Sequence, residues 1–461
     1  MTTRTFAALA WPLLGIAGLA QAPAGGPLFD YVGRPEPAFA WKQASNHDTP
    51  AGKVYSFEFT SQTWRGGDWT HQLRVYEPAK LEHPGLMLLF ITGGRVGGEV
   101  KDSDHAQGFA LAEACGARVA VLPQVPNQPL MGDRFEDDLI GETFVKFLET
   151  QEADWPLLFP MVKSAVKAMD ALEAWATEKG TPLEGFVVTG ASKRGWTTWL
   201  TGAVDPRVKA IAPMVIPTLN MKAQAAHQLD SWGKYSEQIE DYTRRGLTEK
   251  FDDPVGRKLW TMVDPYAYLD RIKVPVLQIN GTNDRYWTLD SMNLFWDAIG
   301  APKAVVYLPN AGHGLEKNRA WAIEGVAALL RATAAGKALP ELGWSLQSGP
   351  FGGKVRHMMV LTVLSETAKP KSVRFWTATS PTRDFREAEW TPTEIPVEPA
   401  GENRSFGNAY FAPDEGYLAV FADAEFERDG RAYHLSTPIR ILGKEGLVTP
   451  RVLEPAEAAR P

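Results

Sequence analysis

Apolar and polar positions along the chain follow two periodicities. The segments VYSFEFTSQTW and HQLRVYEP alternate apolar and polar residues on either side of Arg65-Gly66-Gly67-Asp68, which predicts two antiparallel strands about a turn. From Leu86 the pattern becomes short, nearly continuous apolar runs: LMLLFIT, ARVAVLP, GFVVTG, VKAIAPMV, VPVLQING and KAVVYLP. Such runs form strands covered on both faces. Between them, PLLFPMVKSAVKAMDALEAWATEKG spaces Met161, Ala165, Ala168, Met169, Leu172 and Trp175 mostly three or four residues apart, which predicts a helix stopped at Gly180. Alternating strands and helices imply a mostly parallel sheet with helices on both sides. Right-handed crossovers then bring the C-terminal ends of its strands to one edge, where open α/β sheets bind ligands.

Two stretches break the alternation. Residues 220–270, including HQLDSWGKYSEQIEDYTRRG, are polar, aromatic and helical in character, and are expected to form a cap inserted between two core strands. From Leu339 the chain turns into short alternating segments punctuated by Gly, Pro and Ser, which predicts a C-terminal, immunoglobulin-like β-sandwich over 339–442. The Pro- and Glu-rich stretch 443–461 is expected to be a loosely ordered tail. At the other end, Arg4, the apolar run Phe6 to Ala20 and the small-x-small site Ala20-Gln21-Ala22 read as a signal peptide over 1–22, leaving 23–338 for the main α/β domain. That run is shorter than the ~20 residues of a spanning helix and contains Pro12, so the mature protein is expected to be secreted or periplasmic without stable membrane insertion.

Composition narrows the function classes. A net charge of -7 with no dense Lys/Arg run argues against a nucleic-acid partner. Cys115 is the only cysteine, so no intramolecular disulfide forms, and its apolar surroundings suggest a core residue. Most of the 16 tryptophans are expected in the core or at domain contacts, with some lining a pocket. No HExxH or clustered His/Cys pattern calls for a metal, and no cofactor motif is present.

The chemistry is expected at Ser192. GFVVTG runs into Gly190-Ala191-Ser192-Lys193-Arg194-Gly195 and then into the helix-compatible WTTWLTGAV, a strand, tight turn and helix with Ser at the apex. Two residues rather than one separate Ser192 from the second glycine, a departure from GxSxG, and a serine here could instead cap the helix. A serine hydroxyl needs a base and an acid to orient that base, in the order Ser, acid, His. Asp284 follows VPVLQING and His313 follows KAVVYLP, each just beyond a core strand, with Asp290 the less suitable acid because it lies past the loop. For the oxyanion hole, Lys193 is expected to give one backbone N–H and Gly94 or Arg95 the other, each worth ~2.7–4 kcal/mol. Lys193 and Arg194 either face solvent or engage substrate, Arg194 by binding an anionic part of it. The acidic cluster Glu136-Asp137-Asp138 is expected to face solvent or cap a helix.

Six blocks give the chain a family resemblance: SQTW (61–64), LPQVPNQPL (122–130), EDDLIGETF (136–144), FPMVKSAVKAMD (159–170), TGASKRGWTTWLTGAVDPRVKAIAPMVI (189–216) and RFWTATSPTRDFREAEW (374–390). Together they resemble the PhoPQ-activated pathogenicity-related protein family. This resemblance implies an exported α/β-hydrolase-like protein and leaves the substrate open. GASKRG also looks like the GxSRxG turn of glucuronoyl esterases, in which the basic residue after the serine helps hold the oxyanion; that position is Lys193. The expected function is a carboxylic-ester hydrolase acting on a small-molecule ester through an acyl-enzyme. A serine exopeptidase acting on peptides, or a non-enzymatic peptide- or receptor-binding protein on the same fold, are the alternatives.

Overall fold

The computed structural model describes residues 25–450 apart from 353, 366–367 and 399–403. The leader expected over 1–22 lies outside the described residues. A hairpin meander opens the fold: β1 (Ala40–Thr49), β2 (Gly52–Trp64) and β3 (Gly67–Pro78), preceded by α1 (Pro27–Gly33). Trp64 pairs with Gly67, so the turn is the two residues Arg65 and Gly66, both at positive φ as the right-handed strand twist demands.

The apolar runs form β4 (Leu86–Ile91), β5 (Arg118–Leu122), β6 (Gly185–Ala191), β7 (Val208–Met214), β8 (Val276–Gly281) and β9 (Lys303–Leu308). Strand order is β1-β2-β3-β5-β4-β6-β7-β8-β9, antiparallel as far as the β3–β5 pair and parallel from there to β9. One face carries α4 (Leu158–Glu178) and α5 (Lys193–Val204), the other α2 (Asp102–Cys115) and α9 (Arg319–Ala334), and each face has its own apolar core. The six apolar positions spaced along α4 are all buried. Cys115 is buried on the α2 side, where burial pushes its thiol up to about 12. This is the α/β-hydrolase fold.

Between β7 and β8 the chain rises into α6 (Met221–Trp232), α7 (Glu240–Thr243) and α8 (Pro254–Val263); the remaining helix α3 (Glu136–Thr150) lies before α4 and packs on α7 and α8. Asp264 ties the base of this insertion together, its carboxylate accepting the N–H groups of Asn220, Met221 and Tyr266.

The C-terminal strands are β10 (Leu342–Phe351), β11 (Lys354–Val363), β12 (Ser372–Ser380), β13 (Thr391–Ile395), β14 (Ser405–Phe411), β15 (Tyr417–Arg428), β16 (Arg431–Ser436), β17 (Arg440–Gly443) and β18 (Gly446–Val448). β10, β11 and β14 make one small sheet, and its Met359, Leu361 and Phe406 share a core with Val373, Phe375, Val420 and Leu435 of the other sheet. That other sheet continues the central one: Ser436 of β16 pairs with Val305 of β9, and the Ser436 hydroxyl accepts the Tyr307 N–H at 3.1 Å. The stretch expected as a loose tail from Gly443 instead begins with the β17–β18 pairing, Gly443 opposite Gly446. Residues 451–461 lie outside the described residues. No helix among the described residues is long and apolar enough to cross a membrane.

Candidate active site

Ser192 stands between β6 and α5 with φ 57° and ψ -126°, a left-handed conformation that a non-glycine residue holds only when its surroundings enforce it. The enforcing contacts are visible. The Ser192 N–H donates to Met214 O at 2.9 Å, and a Cβ added at Gly195 would stand 2.9 Å from that same oxygen and 3.0 Å from Gly190 O. The glycine displaced by one place therefore does the work of close approach to β6 and β7. Ser192 occupies the N-cap position of α5, yet its side chain caps no helix N–H.

Asp284 lies just past β8 and His313 just past β9. His313 Nδ1 and Asp284 Oδ2 are 2.7 Å apart, and Asp284 Oδ1 accepts the Tyr286 N–H at 2.8 Å, so both carboxylate oxygens are fixed. Tyr286 also stacks on the imidazole, ring centroids 4.0 Å apart. His313 Nε2 is enclosed and forms no hydrogen bond, so no bond joins it to Ser192. Asp290 is engaged elsewhere: its Oδ1 lies 2.7 Å from Nε2 of His227, pinning α6 to the loop after β8.

Lys193 and Arg194 are both buried, which the sequence did not anticipate. Arg194, expected to bind substrate, is spent on the scaffold. Its Nη1 and Nη2 donate to Glu136 at 2.6 and 2.7 Å, and its Nε donates to Val125 O at 2.6 Å. Lys193 Nζ lies 2.9 Å from Glu136 Oε2 and 3.1 Å from Asp137 Oδ2, so its ammonium is already neutralised. The acidic cluster accordingly does not simply face solvent. It forms the first turn of α3, where negative charge suits the helix dipole, and clasps the elbow with Glu136 and Asp137. The same turn reaches the cap: Tyr242 donates to Asp137 at 2.9 Å and Arg245 Nη2 to Asp138 at 2.5 Å. Burial alone would raise the Glu136 carboxyl, but the Arg194 hydrogen bonds and the charges of Arg194 and Lys193 outweigh it and hold it far below the usual carboxylate range.

Ser192 and Lys193 open into a hollow roofed by the cap, with Trp196, Ile216, Phe251, Trp260 and Trp287 among its walls. Gly94 and Arg95 line a different hollow, against β3 and α2. Their carbonyls are tied by Gln128 Nε2 and Gln124 Nε2, and Gly93 packs so closely on the Arg194 guanidinium that a Cβ there would lie 2.4 Å from Nη2. Among the described residues no cluster of three or more His, Cys, Asp and Glu could hold a metal.

The model of the PhoPQ-activated pathogenicity-related protein family matches residues 28–386. The chain belongs to this family. It is 31% identical over 426 residues to autocrine proliferation repressor protein A of Dictyostelium discoideum, covering 87% of this chain and 86% of that protein. Among solved structures it is similar to an acetyl xylan esterase from a Thermoanaerobacterium species (16% identity, TM-score 0.45, 68% of this chain and 95% of that one). It is also similar to a glucuronoyl esterase from Solibacter usitatus (12% identity, TM-score 0.43, 70% and 98%).

The last block of the PhoPQ-activated pathogenicity-related family pattern ends in a strap that sequence reasoning did not connect to the site. The loop between β12 and β13 crosses from the C-terminal sandwich to the loops bearing Asp284 and His313. Asn283 Nδ2 donates to the carbonyls of Ala388 (2.7 Å), Arg386 (3.2 Å) and Phe385 (3.5 Å). Asn310 exchanges two bonds with the Trp390 backbone, at 3.0 and 2.8 Å. Arg386 and Arg383 add ion pairs to Glu237 and Asp230 of the cap region. The only hint in the sequence was the length of that final block.

Asn283→Ala should leave those carbonyls without their donor and destabilise the protein by about 1–3 kcal/mol. Because Asn283 adjoins Asp284, reaction of Ser192 with an organophosphorus probe should slow as well. A urea titration and a labelling time course check the two effects, and unchanged labelling would mean the strap does not hold the acid loop.

Proposed function

We propose that this protein is a serine hydrolase of carboxylic esters, working through an acyl-enzyme on Ser192. The observation that carries the reading is the 2.7 Å Asp284–His313 contact at the ends of two core strands, on the edge where Ser192 is held at positive φ. Ser192 Oγ attacks the ester carbonyl and its proton passes to His313 Nε2, the nitrogen left without a partner. Asp284 keeps the proton on Nδ1 and balances the imidazolium. The oxyanion is held by the Lys193 N–H, at the start of α5 where no intrahelical acceptor exists; Gly94 and Arg95, which line the hollow against β3 and α2, are not brought to it. The imidazolium protonates the departing alcohol, and water then releases the acid by the same route. The leader over 1–22 would export the protein, making it secreted or periplasmic.

Two observations favour ester over peptide chemistry. The acid that lines the hollow beside Ser192, Asp137, is paired with Lys193 and hydrogen-bonded by Tyr242, so it offers no site for a peptide amino terminus. The hollow beside Ser192 is walled mainly by apolar groups. A second reading, a non-enzymatic signalling or receptor-binding protein, draws support from the name of the Dictyostelium relative. A fluorophosphonate probe separates the two. Wild type should label, and Ser192→Ala and His313→Ala should not; a folded wild type that fails to label would leave the binding reading in possession.

A further inference from the structure

The spaces on the two sides of the site differ in size and in chemistry. Ser192 borders a hollow of about 60 Å3 walled by Trp196, Ile216, Phe251, Trp260 and Trp287. Among its polar members, Lys193 and Tyr242 are both engaged by Asp137 and Gln228 is bonded to the backbone of Tyr286 and Ser236, so these offer little to a polar substituent. His313 borders an open groove of about 610 Å3, with Tyr286 common to both spaces. The groove is shared between the hydrolase core and the strap: Arg285, Glu316 and Lys317 come from the core, Arg386, Glu387 and Glu389 from the strap. Three cations thus face three carboxylates. Arg285 pairs with Glu387, and Arg386 with Glu237 and Asp384, while Glu316 accepts the Gly312 N–H.

In acyl transfer the acyl carbon becomes bonded to the serine oxygen, while the leaving oxygen takes its proton from the histidine. The space beside Ser192 therefore receives the acyl group and the space beside His313 the alcohol. An apolar cavity of about 150 Å3 takes a benzene ring, so one less than half that size selects a short aliphatic chain over an aromatic or long one. The groove is too polar for an alkyl alcohol and too evenly charged to select an ion; the donors of Lys317 and the acceptors of Glu389, which no pair among the described residues takes up, suit a neutral group carrying several hydroxyls.

Resting on the ester-hydrolase reading, we infer that the substrates are short-chain acyl esters of neutral, polyhydroxylated alcohols: O-acylated carbohydrates, with the acyl group under the cap and the sugar against the strap. In the reaction the Ser192 Oγ–acyl bond forms as the acyl–oxygen bond to the sugar breaks. The sugar leaves with the proton from His313, and water supplies the hydroxyl and proton that release the acid and restore the serine.

The test is a substrate series on the full chain. Among p-nitrophenyl esters, kcat/KM should fall at least tenfold from butyrate to octanoate and from acetate to benzoate. Glucose pentaacetate should be hydrolysed at least tenfold more efficiently than ethyl acetate. Ala225→Trp, which narrows the hollow, should lower the butyrate-to-acetate ratio about tenfold while Ser192 still labels with a small fluorophosphonate. Preference for octanoate or benzoate, or no gain for the sugar acetate, in a protein that labels would overturn this substrate class and leave the ester hydrolase standing. Preference for a peptide anilide would overturn the substrate class and the ester reading together, leaving a serine peptidase. Absence of labelling in folded wild type would instead remove the ester-hydrolase reading, and the substrate class with it.

Discussion

Asp284→Asn should lower kcat for an aryl ester by about 10^4 while KM and the thermal midpoint change little. Asp284 Oδ1 takes the Tyr286 N–H and Oδ2 faces His313 Nδ1 at 2.7 Å. An amide keeps the shape and the first bond, but the group facing the histidine becomes an N–H donor. The imidazole must then place its proton on Nε2, the nitrogen that has to accept from Ser192. A loss in kcat with KM intact separates this from a binding defect. If Asp284→Asn were nearly as active as wild type while His313→Ala was inactive, Asp290 would be the next acid to examine, and His227→Ala would be the way to free it.

The largest effect on stability should come from Glu136→Gln. Its carboxylate is the shared partner of Arg194 and Lys193, whose side chains are only 10% and 8% exposed. Removing one member of a buried ion pair strands the charge that remains. Such losses run to about 3–5 kcal/mol, and because Glu136 itself is 39% exposed the lower end, about 3 kcal/mol, is expected from urea unfolding. The sign of the pH dependence follows from the depressed carboxyl. Its contribution is complete above the unfolded value near ~4.3 and drains away as pH falls below it toward the folded value. Wild type and Glu136→Gln should therefore converge in acid and differ most near neutrality. A constant gap across pH would mean the lost stability is packing and not charge.

The sheet and the candidate catalytic residues were readable because each signal is local. GFVVTG followed by a glycine-flanked serine defines strand, turn and helix within a dozen residues, and a buried parallel strand announces itself by an unbroken apolar run. What could not be read depends on partners far apart in the chain. Lys193 and Arg194 look like surface charges until Glu136 folds against them from 58 residues upstream of Arg194. β1 is an edge strand whose exposed positions outnumber the others, so AWKQASNHDT carries no strong apolar alternation. The family blocks, scattered in sequence, converge in space. Ser61 and Gln62 of SQTW bond Ser164 of FPMVKSAVKAMD at 3.1 Å, and Val125 of LPQVPNQPL accepts from Arg194 of the elbow block. Their length reflects a shared buried polar framework as much as chemistry, which is why block similarity alone does not give the role of each charge.

The strap has a bearing on biosynthesis. A chain made from its N-terminus presents Ser192, Asp284 and His313 to solvent before residues 385–390, which clamp Asn283 and Asn310, have left the ribosome. Ser436, which joins the sandwich to the edge of the central sheet at Val305, emerges later still. The nascent core thus carries the three residues of the proposed triad without the brace that fixes two of their loops. Completion of the C-terminal domain, and not of the core, is the moment in translation at which the site acquires its final geometry.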